Sequence, residues 1–389
     1  MKDLWTLDPG VSHLNHGSFG ACPRAALEHQ AGLRARMERQ PLQFFRDLEV
    51  LLDEARARLA AFLRADADDL AFVPNVTTAV NTVIRSLQLE PGDELLTTNH
   101  AYNACRNALR WHEERGVKVV AARVPWPLEG PYQVIDAVMA AVTGRTRLVL
   151  LDHVTSPTGV VFPVGELVRL LNERGIDTLI DGAHAPGMLP LDLKKIGAAY
   201  YSGNCHKWLC APKGAAFLHV RRDRQPGVKP LAHGHGLNSN RTDRGPFRLQ
   251  MDWIATADPT AYLTVPFCID YLDGLLPWPQ LMERNHQLAV AGRRALCAAL
   301  GTAPPVPDFM LGSLAAALLP DSGGGRPAPR DRASWHPLSQ ALLEKHGIEV
   351  PVIVFPAPPR QLVRISAQVY NSLDEYQALA AALREELGQ

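Results

Sequence analysis

The chain has 389 residues, 47% hydrophobic and 21% charged, with 40 basic side chains against 40 acidic ones. This is a globular composition, long enough to bury about three quarters of the unfolded surface, which excludes a peptide or a lone small module. A formal charge of zero leaves no net field to gather nucleic acid or an anionic membrane. From Arg24 to about Leu63 the pattern is helical, Ala- and Leu-rich with Arg and Glu interspersed, and Pro41 separates two segments. Between about 70 and 220, short β-type runs at 94–98, 117–122, 148–151, 178–180, 198–201 and 215–220 alternate with helix-length stretches. Near-continuous apolar strands spaced in this way predict βα units and a largely parallel sheet covered on both faces.

A second helical region covers 261–300. Beyond it lies a small α+β unit, with strands at 314–318, 349–354 and 362–366 and helices at 337–346 and 373–387. A Gly/Pro-rich stretch at 321–331 reads as a mobile loop inside that unit. The chain therefore divides into an N-terminal segment (1–23), a large α/β domain (24–275) and a small C-terminal domain (276–389). Six cysteines at 22, 105, 205, 210, 268 and 297 form no CxxC pair, which predicts reduced thiols in the cytoplasm. Cys205 and Cys210 flank His206, but with four residues between the thiols and no second pair no zinc site is expected. Asp3 and Asp8 stand where a signal peptide needs an apolar core, and no run approaches the ~20 apolar residues of a membrane span.

An open α/β sheet places ligands at the carboxyl ends of its strands. One strand there ends Asp-Thr-Leu-Ile-Asp-Gly-Ala-His over 177–184, bringing Asp181 and His184 to a tight turn. The next ends Tyr-Tyr-Ser-Gly-Asn-Cys-His-Lys-Trp over 200–208, with Lys207 inside an apolar turn. Earlier, Val-Pro-Asn-Val-Thr-Thr over 73–78 puts Thr77 and Thr78 at a helix start, where free N–H groups and the helix dipole favour a phosphate. Singly, a strand-end aspartate is a turn or cap residue and a lysine is a solvated cation. Together, a buried carboxylate, a lysine in an apolar turn and a phosphate cradle are the parts that pyridoxal phosphate requires. No GxGxxG or GxxxxGK[ST] run anchors a dinucleotide or P-loop reading.

These turns, with the opening Leu-Asn-His-Gly-Ser-Phe-Gly-Ala-Cys-Pro-Arg over 14–24, resemble the class V aminotransferase family of fold-type I pyridoxal phosphate enzymes. Within it the resemblance is to the isopenicillin N epimerase-like branch, which also holds carbon–sulfur lyases. The resemblance implies a seven-stranded, mostly parallel sheet in a three-layer large domain, a homodimer and an amino-acid substrate. Lys207 would form the Schiff base and Asp181 would pair with the pyridine nitrogen. His184 would lie near the ring hydroxyl with Ser156 beside it, and Thr77, Thr78, Ser202 and His206 would hold the phosphate. Thr256 matches the position that completes the cradle from the other subunit, although Ala255 and Ala257 stand where the branch has Gly and Arg.

Arg364 resembles the small-domain arginine that clamps an α-carboxylate, a planar guanidinium suited to bidentate contact; a structural ion pair is the alternative. Tyr102 is a candidate to stack on the ring or act as an acid opposite Lys207, with His100 as its competitor. Asn15 and His16 are expected at the substrate mouth. His233 and His235 lack a third metal ligand. The family's desulfurases use a cysteine just before the small-domain arginine, and 352–363 contains none. The expected activity is amino-acid epimerisation through Lys207, with carbon–sulfur β-elimination as the alternative and transamination, desulfuration or a non-catalytic binding role ranked behind them.

Overall fold

A computed structural model describes residues 1–320 and 336–388, so the glycine-rich stretch at 321–331 lies outside the described residues. Seven strands build one sheet: β1 (Leu70–Val73), β2 (Glu94–Thr98), β3 (Lys118–Ala122), β4 (Thr146–Asp152), β5 (Asp177–Asp181), β6 (Tyr200–Asn204) and β7 (Ala216–Val220). Their order is β1-β7-β6-β5-β4-β2-β3. The run from β6 to β3 is parallel, and β7 lies antiparallel to both β6 and β1. Every residue of β1, β6 and β7 is buried, as is β4 apart from Arg147. Burial on both faces explains why these strands read as continuous apolar runs.

Two strands differ from expectation. β1 is four residues long, too short to register as a periodic run. β6 continues to Asn204, three residues past its expected end, because Ser202, Gly203 and Asn204 pair with Leu218, Phe217 and Ala216. Tertiary pairing thus draws Ser202 out of a turn and into the sheet.

The helical arm resolves into α1 (Arg24–Arg39) and α2 (Pro41–Leu63), with Pro41 in the first turn of α2. Helix α3 (Val76–Ser86) follows β1, and α4 (Asn103–Leu109) follows β2. In the C-terminal part, β8 (Leu314–Leu318), β9 (Val352–Val354) and β10 (Gln361–Ser366) form an antiparallel sheet in the order β9-β10-β8. Helices α5 (Trp278–Leu300), α6 (Pro337–His346) and α7 (Leu373–Leu387) accompany it. The single strand expected at 349–354 is split. Ile348–Glu349 pairs in parallel with Ser12–His13, while β9 pairs with β10. Pro351 lies between them and offers no N–H to a ladder.

That pairing ties the start of the chain to its end. The Ser366 N–H also donates to the Leu14 carbonyl at 2.9 Å, and Trp5 packs edge-on against Tyr370 with ring centres 5.2 Å apart. Two glycines press on the turn that follows β6. At Gly20 (φ +67°) a Cβ would stand 2.6 Å from the His206 carbonyl oxygen, and at Gly187 (φ +84°) one would stand 2.7 Å from that of Trp208. The backbone packs against itself there, and only glycine permits both the contact and the dihedral.

Gly187→Ala is expected to cost ~1–3 kcal/mol, combining left-handed strain with overpacking against an immovable carbonyl. Gly175→Ala is the control, since Gly175 has φ +69° but nothing within 4 Å. Urea unfolding midpoints measure both; equal losses would show that the close approach costs nothing.

Candidate active site

The carboxyl ends of β4 and β5 bring Asp152 and Asp181 into register. The turn after β6 adds His206 and Lys207, the start of α3 adds Asn75 and Thr77, and the residue capping α4 is Tyr102. Ser18 and Phe19 arrive from the N-terminal segment, and these groups with Ser156 and His184 line one cavity of about 190 Å³. Of the expected residues, Thr77, Tyr102, Ser156, Asp181, His184, His206 and Lys207 meet there.

Lys207 Nζ lies 3.2 Å from His184 Nε2. Burial lowers the lysine to about 8 although the Asp181 charge raises it, while Arg364 adds a further lowering. His184 is held well below its usual 6.5, first by burial and then by the Lys207 charge, so its ring is neutral. The indole N–H of Trp208 donates to His184 Nδ1 at 3.4 Å. An indole can only donate, so the ring hydrogen sits on Nε2, facing Lys207. A donor at that point favours the free amine over the ammonium.

Asp181 accepts from the Ala183 N–H at 3.0 Å and from the Cys105 thiol at 3.1 Å. Burial and then the Asp181 charge push Cys105 well up, so it remains a thiol and a donor. Arg364 does not itself line the cavity but is 4% exposed and donates to two residues that do, the Ser156 carbonyl and Ser18 Oγ, the latter at 3.0 Å. Its Nε has no hydrogen-bond partner among the described residues. Burial lowers it to about 10, still cationic at neutral pH. A structural ion pair does not account for this residue, because its contacts are neutral oxygens.

Other expected residues lie elsewhere. Thr78 gives both its N–H and its hydroxyl to Asn75 Oδ1, at 2.8 and 3.1 Å, which leaves Thr77 as the threonine at the cavity. Ser202 donates to the Phe217 carbonyl at 2.7 Å, a consequence of its place in β6. Thr256 is exposed and does not line the cavity of its own chain. His16 is not at a mouth: it is fully buried, its Nδ1 2.7 Å from the Tyr370 hydroxyl and its Nε2 3.1 Å from the Lys207 carbonyl. Asn15 donates to Glu349 at 3.3 Å and accepts from Ser18, outside the cavity lining. Ser18 and Phe19, two or three residues on, take the position expected of them, because the short helix His16–Phe19 turns His16 inward. His100 packs among Trp126, Phe162 and Phe355, and Tyr102 faces the cavity.

The sequence reading missed Asp152, Cys105, Asn75 and Asn204. Asp152 was accessible by the rule that found Asp181, an acid at a parallel strand's end. Asn204 Oδ1 accepts from the Val76 N–H at 3.1 Å, a pairing across 128 positions that no local pattern signals.

The residues fit pyridoxal phosphate. Thr77 stands at the amino end of α3 in the cavity, and His206 lines the same cavity. His206 donates from Nδ1 to the Ala215 carbonyl at 2.8 Å and is lowered to about 4, mainly by burial. Nε2 is therefore open toward the cavity, where a dianion would draw a proton onto it.

In the cofactor-free protein, the rate of Lys207 acylation or of cofactor attachment should rise with pH through a midpoint near 8, not 10.5. Asp181→Asn removes the attraction that raises the amine, so the midpoint should fall; Arg364→Leu removes a repulsion, so it should rise. A wild-type midpoint above 10 would contradict the burial argument.

Comparison with known proteins agrees with this geometry. The family described as Aminotransferase class-V matches residues 25–244. Isopenicillin N epimerase of Amycolatopsis lactamdurans is 37% identical over 404 residues, covering 99% of this chain and 97% of that one. A probable chloroplastic L-cysteine desulfhydrase of Arabidopsis thaliana is 31% identical over 406 residues, covering 97% and 83%. Among solved structures, the cystine C–S lyase C-DES has a TM-score of 0.78 at 20% identity, covering 96% of this chain and 97% of that one. An apo cysteine desulfurase from Thermococcus onnurineus NA1 has a TM-score of 0.80 at 19% identity, covering 100% and 97%. A cavity built on a lysine, a strand-end aspartate and a helix start, together with these matches, places the chain in the class V aminotransferase family of fold-type I pyridoxal phosphate enzymes.

Proposed function

We propose that this protein moves a proton at the α-carbon of an amino acid, as an isopenicillin N epimerase-like enzyme. The observation that carries the reading is one cavity holding a half-buried amine of lowered basicity, with the Arg364 guanidinium bonded to its wall. When bound, pyridoxal phosphate supplies an aldehyde that condenses with amines and a ring that accepts the electron pair left at Cα.

Lys207 holds the cofactor, then, freed as an amine, removes the α-proton. Asp181 keeps a proton on the ring nitrogen, with Cys105 and the Ala183 N–H holding its carboxylate in place. His184 and Ser156 flank the ring hydroxyl. Thr77 and His206 would hold the phosphate, with Thr256 contributed by a partner subunit. Arg364 binds the substrate carboxylate, while Ser18 and Phe19 border the entrance. Tyr102, which lines the same cavity, would return a proton from the side opposite Lys207 to give the inverted centre.

Carbon–sulfur β-elimination is the second reading, favoured by the 31% identity to the desulfhydrase over nearly the whole chain. It uses the same α-proton removal and needs a departing group at Cβ. The exposed apolar side chains Phe19, Leu42, Val50, Leu231 and Ile254 support a homodimer, and the free thiols support a cytoplasmic setting. Among the described residues no helix is long and apolar enough to cross a membrane.

Incubation with a panel of amino acids in deuterated water separates the two readings. Solvent deuterium at Cα with racemisation supports epimerisation; pyruvate or a sulfur product supports elimination; neither, across a broad panel, sinks both. Lys207→Ala should abolish turnover and the visible imine absorbance together. Arg364→Ala should lower kcat/KM roughly 100-fold or more, mainly through KM, since each charge-assisted hydrogen bond contributes about 1.5–3 kcal/mol. An unchanged KM would remove Arg364 from substrate binding.

A further inference from the structure

Asp152 has no part in the assignments above, yet it ends β4 in register with Asp181, lines the same cavity and is 2% exposed. Partners in register on parallel strands stand roughly 5 Å apart and project to the same face. Two carboxylates therefore share one dry space, where two adjacent anions repel strongly.

Their hydrogen bonds are unequal. Asp181 receives a backbone N–H and the Cys105 thiol, at 3.0 and 3.1 Å. The backbone N–H groups of Tyr102 and of Asp152 itself are near enough to favour the Asp152 anion, whereas its Oδ2 is buried with no hydrogen-bond partner among the described residues. An orphaned acceptor is costly as an anion and far less so once it carries a proton. The charged and titratable groups around the pair are Tyr201 from β6, Lys207 from the turn after it, Tyr102 capping α4, and Cys105 and Arg106 within α4. Arg106 attracts an Asp152 anion and Asp181 repels it.

We propose that the two carboxylates hold one proton, that Asp152 carries it, and that this neutral acid is a positioning residue, leaving Asp181 the charge and fixing the Tyr102 backbone at the start of α4. Burial and the Asp181 charge push the Asp152 acid in the same direction, well above the usual carboxylate range. Asn is the shape-preserving imitation of a neutral Asp, so Asp152→Asn should behave as wild type, while Asp152→Ala should not.

Infrared spectra of the cofactor-free protein at neutral pH should contain a protonated-carboxyl stretch that disappears in Asp152→Asn; coincident spectra in that region would overturn the proposal. In the holoenzyme, Asp152→Asn should leave the pH midpoint of the visible imine band unmoved. A shift of about one pH unit or more, the size expected on deleting a nearby charge, would show that Asp152 is ionised. Asp152→Ala should lower kcat about 10-fold or more by releasing Tyr102, with Asp152→Asn restoring it; equal defects in the two variants would refute the positioning role. The spectral arm rests on the assignment of Asp181 to the cofactor ring, but the infrared arm does not. Failure of the cofactor reading, seen as imine absorbance surviving Lys207→Ala, is thus distinguishable from failure of this one.

Discussion

Desolvation of Lys207 is the interaction on which the rest of the site depends. Asp181 pulls the amine toward its charged form, yet burial outweighs that attraction and leaves it near 8. The same penalty acts on Arg364 with the opposite functional result, because a guanidinium starts so high that burial to about 10 still leaves it charged. Desolvation around one cavity therefore yields an amine of lowered basicity in its lining and a permanent cation behind its wall. Arginine and lysine cannot be exchanged between these positions without losing one function or the other.

The fold sustains this arrangement by rigidity more than by pairing. Lys207 follows a central strand whose turn is pressed by Gly20 and Gly187, and its carbonyl is held by His16 from the N-terminal segment. His16 in turn meets Tyr370, and the Leu14 carbonyl meets Ser366, two residues beyond Arg364. The lysine and the arginine thus belong to different sheets but share one strap, made by the first twenty or so residues. This makes buried His16 structural, although its motif reads as a substrate contact.

The residues legible in the sequence were those whose chemistry and local pattern coincide. Asp181, His184 and Lys207 each follow an apolar strand and enter a tight turn, and the parallel sheet follows from continuous apolar runs. Elements set by distant pairing were less legible: β1 is four residues long, and β6 runs into polar residues only because β7 pairs with them. Thr78 and Ser202 carry the right hydroxyls, yet Asn75 and the Phe217 carbonyl engage them. A sequence shows that a hydroxyl is available, not what it bonds.

The cysteines bear on which reaction the cavity performs. A desulfurase needs an accessible thiolate to take up sulfur, and a thiolate forms where water or a cation stabilises it. All six thiols here are buried, and burial raises every one of them. Cys105, the thiol bonded to Asp181, is further opposed by that carboxylate and serves as its donor. The protein itself therefore offers sulfur no acceptor. Proton removal at Cα remains common to epimerisation and elimination, and what separates them is the bond at Cβ. A substrate with no departing group there leaves the carbanion only to be reprotonated, and in the proposed epimerisation that proton arrives at Cα, on a face set by whether Lys207 or Tyr102 supplies it.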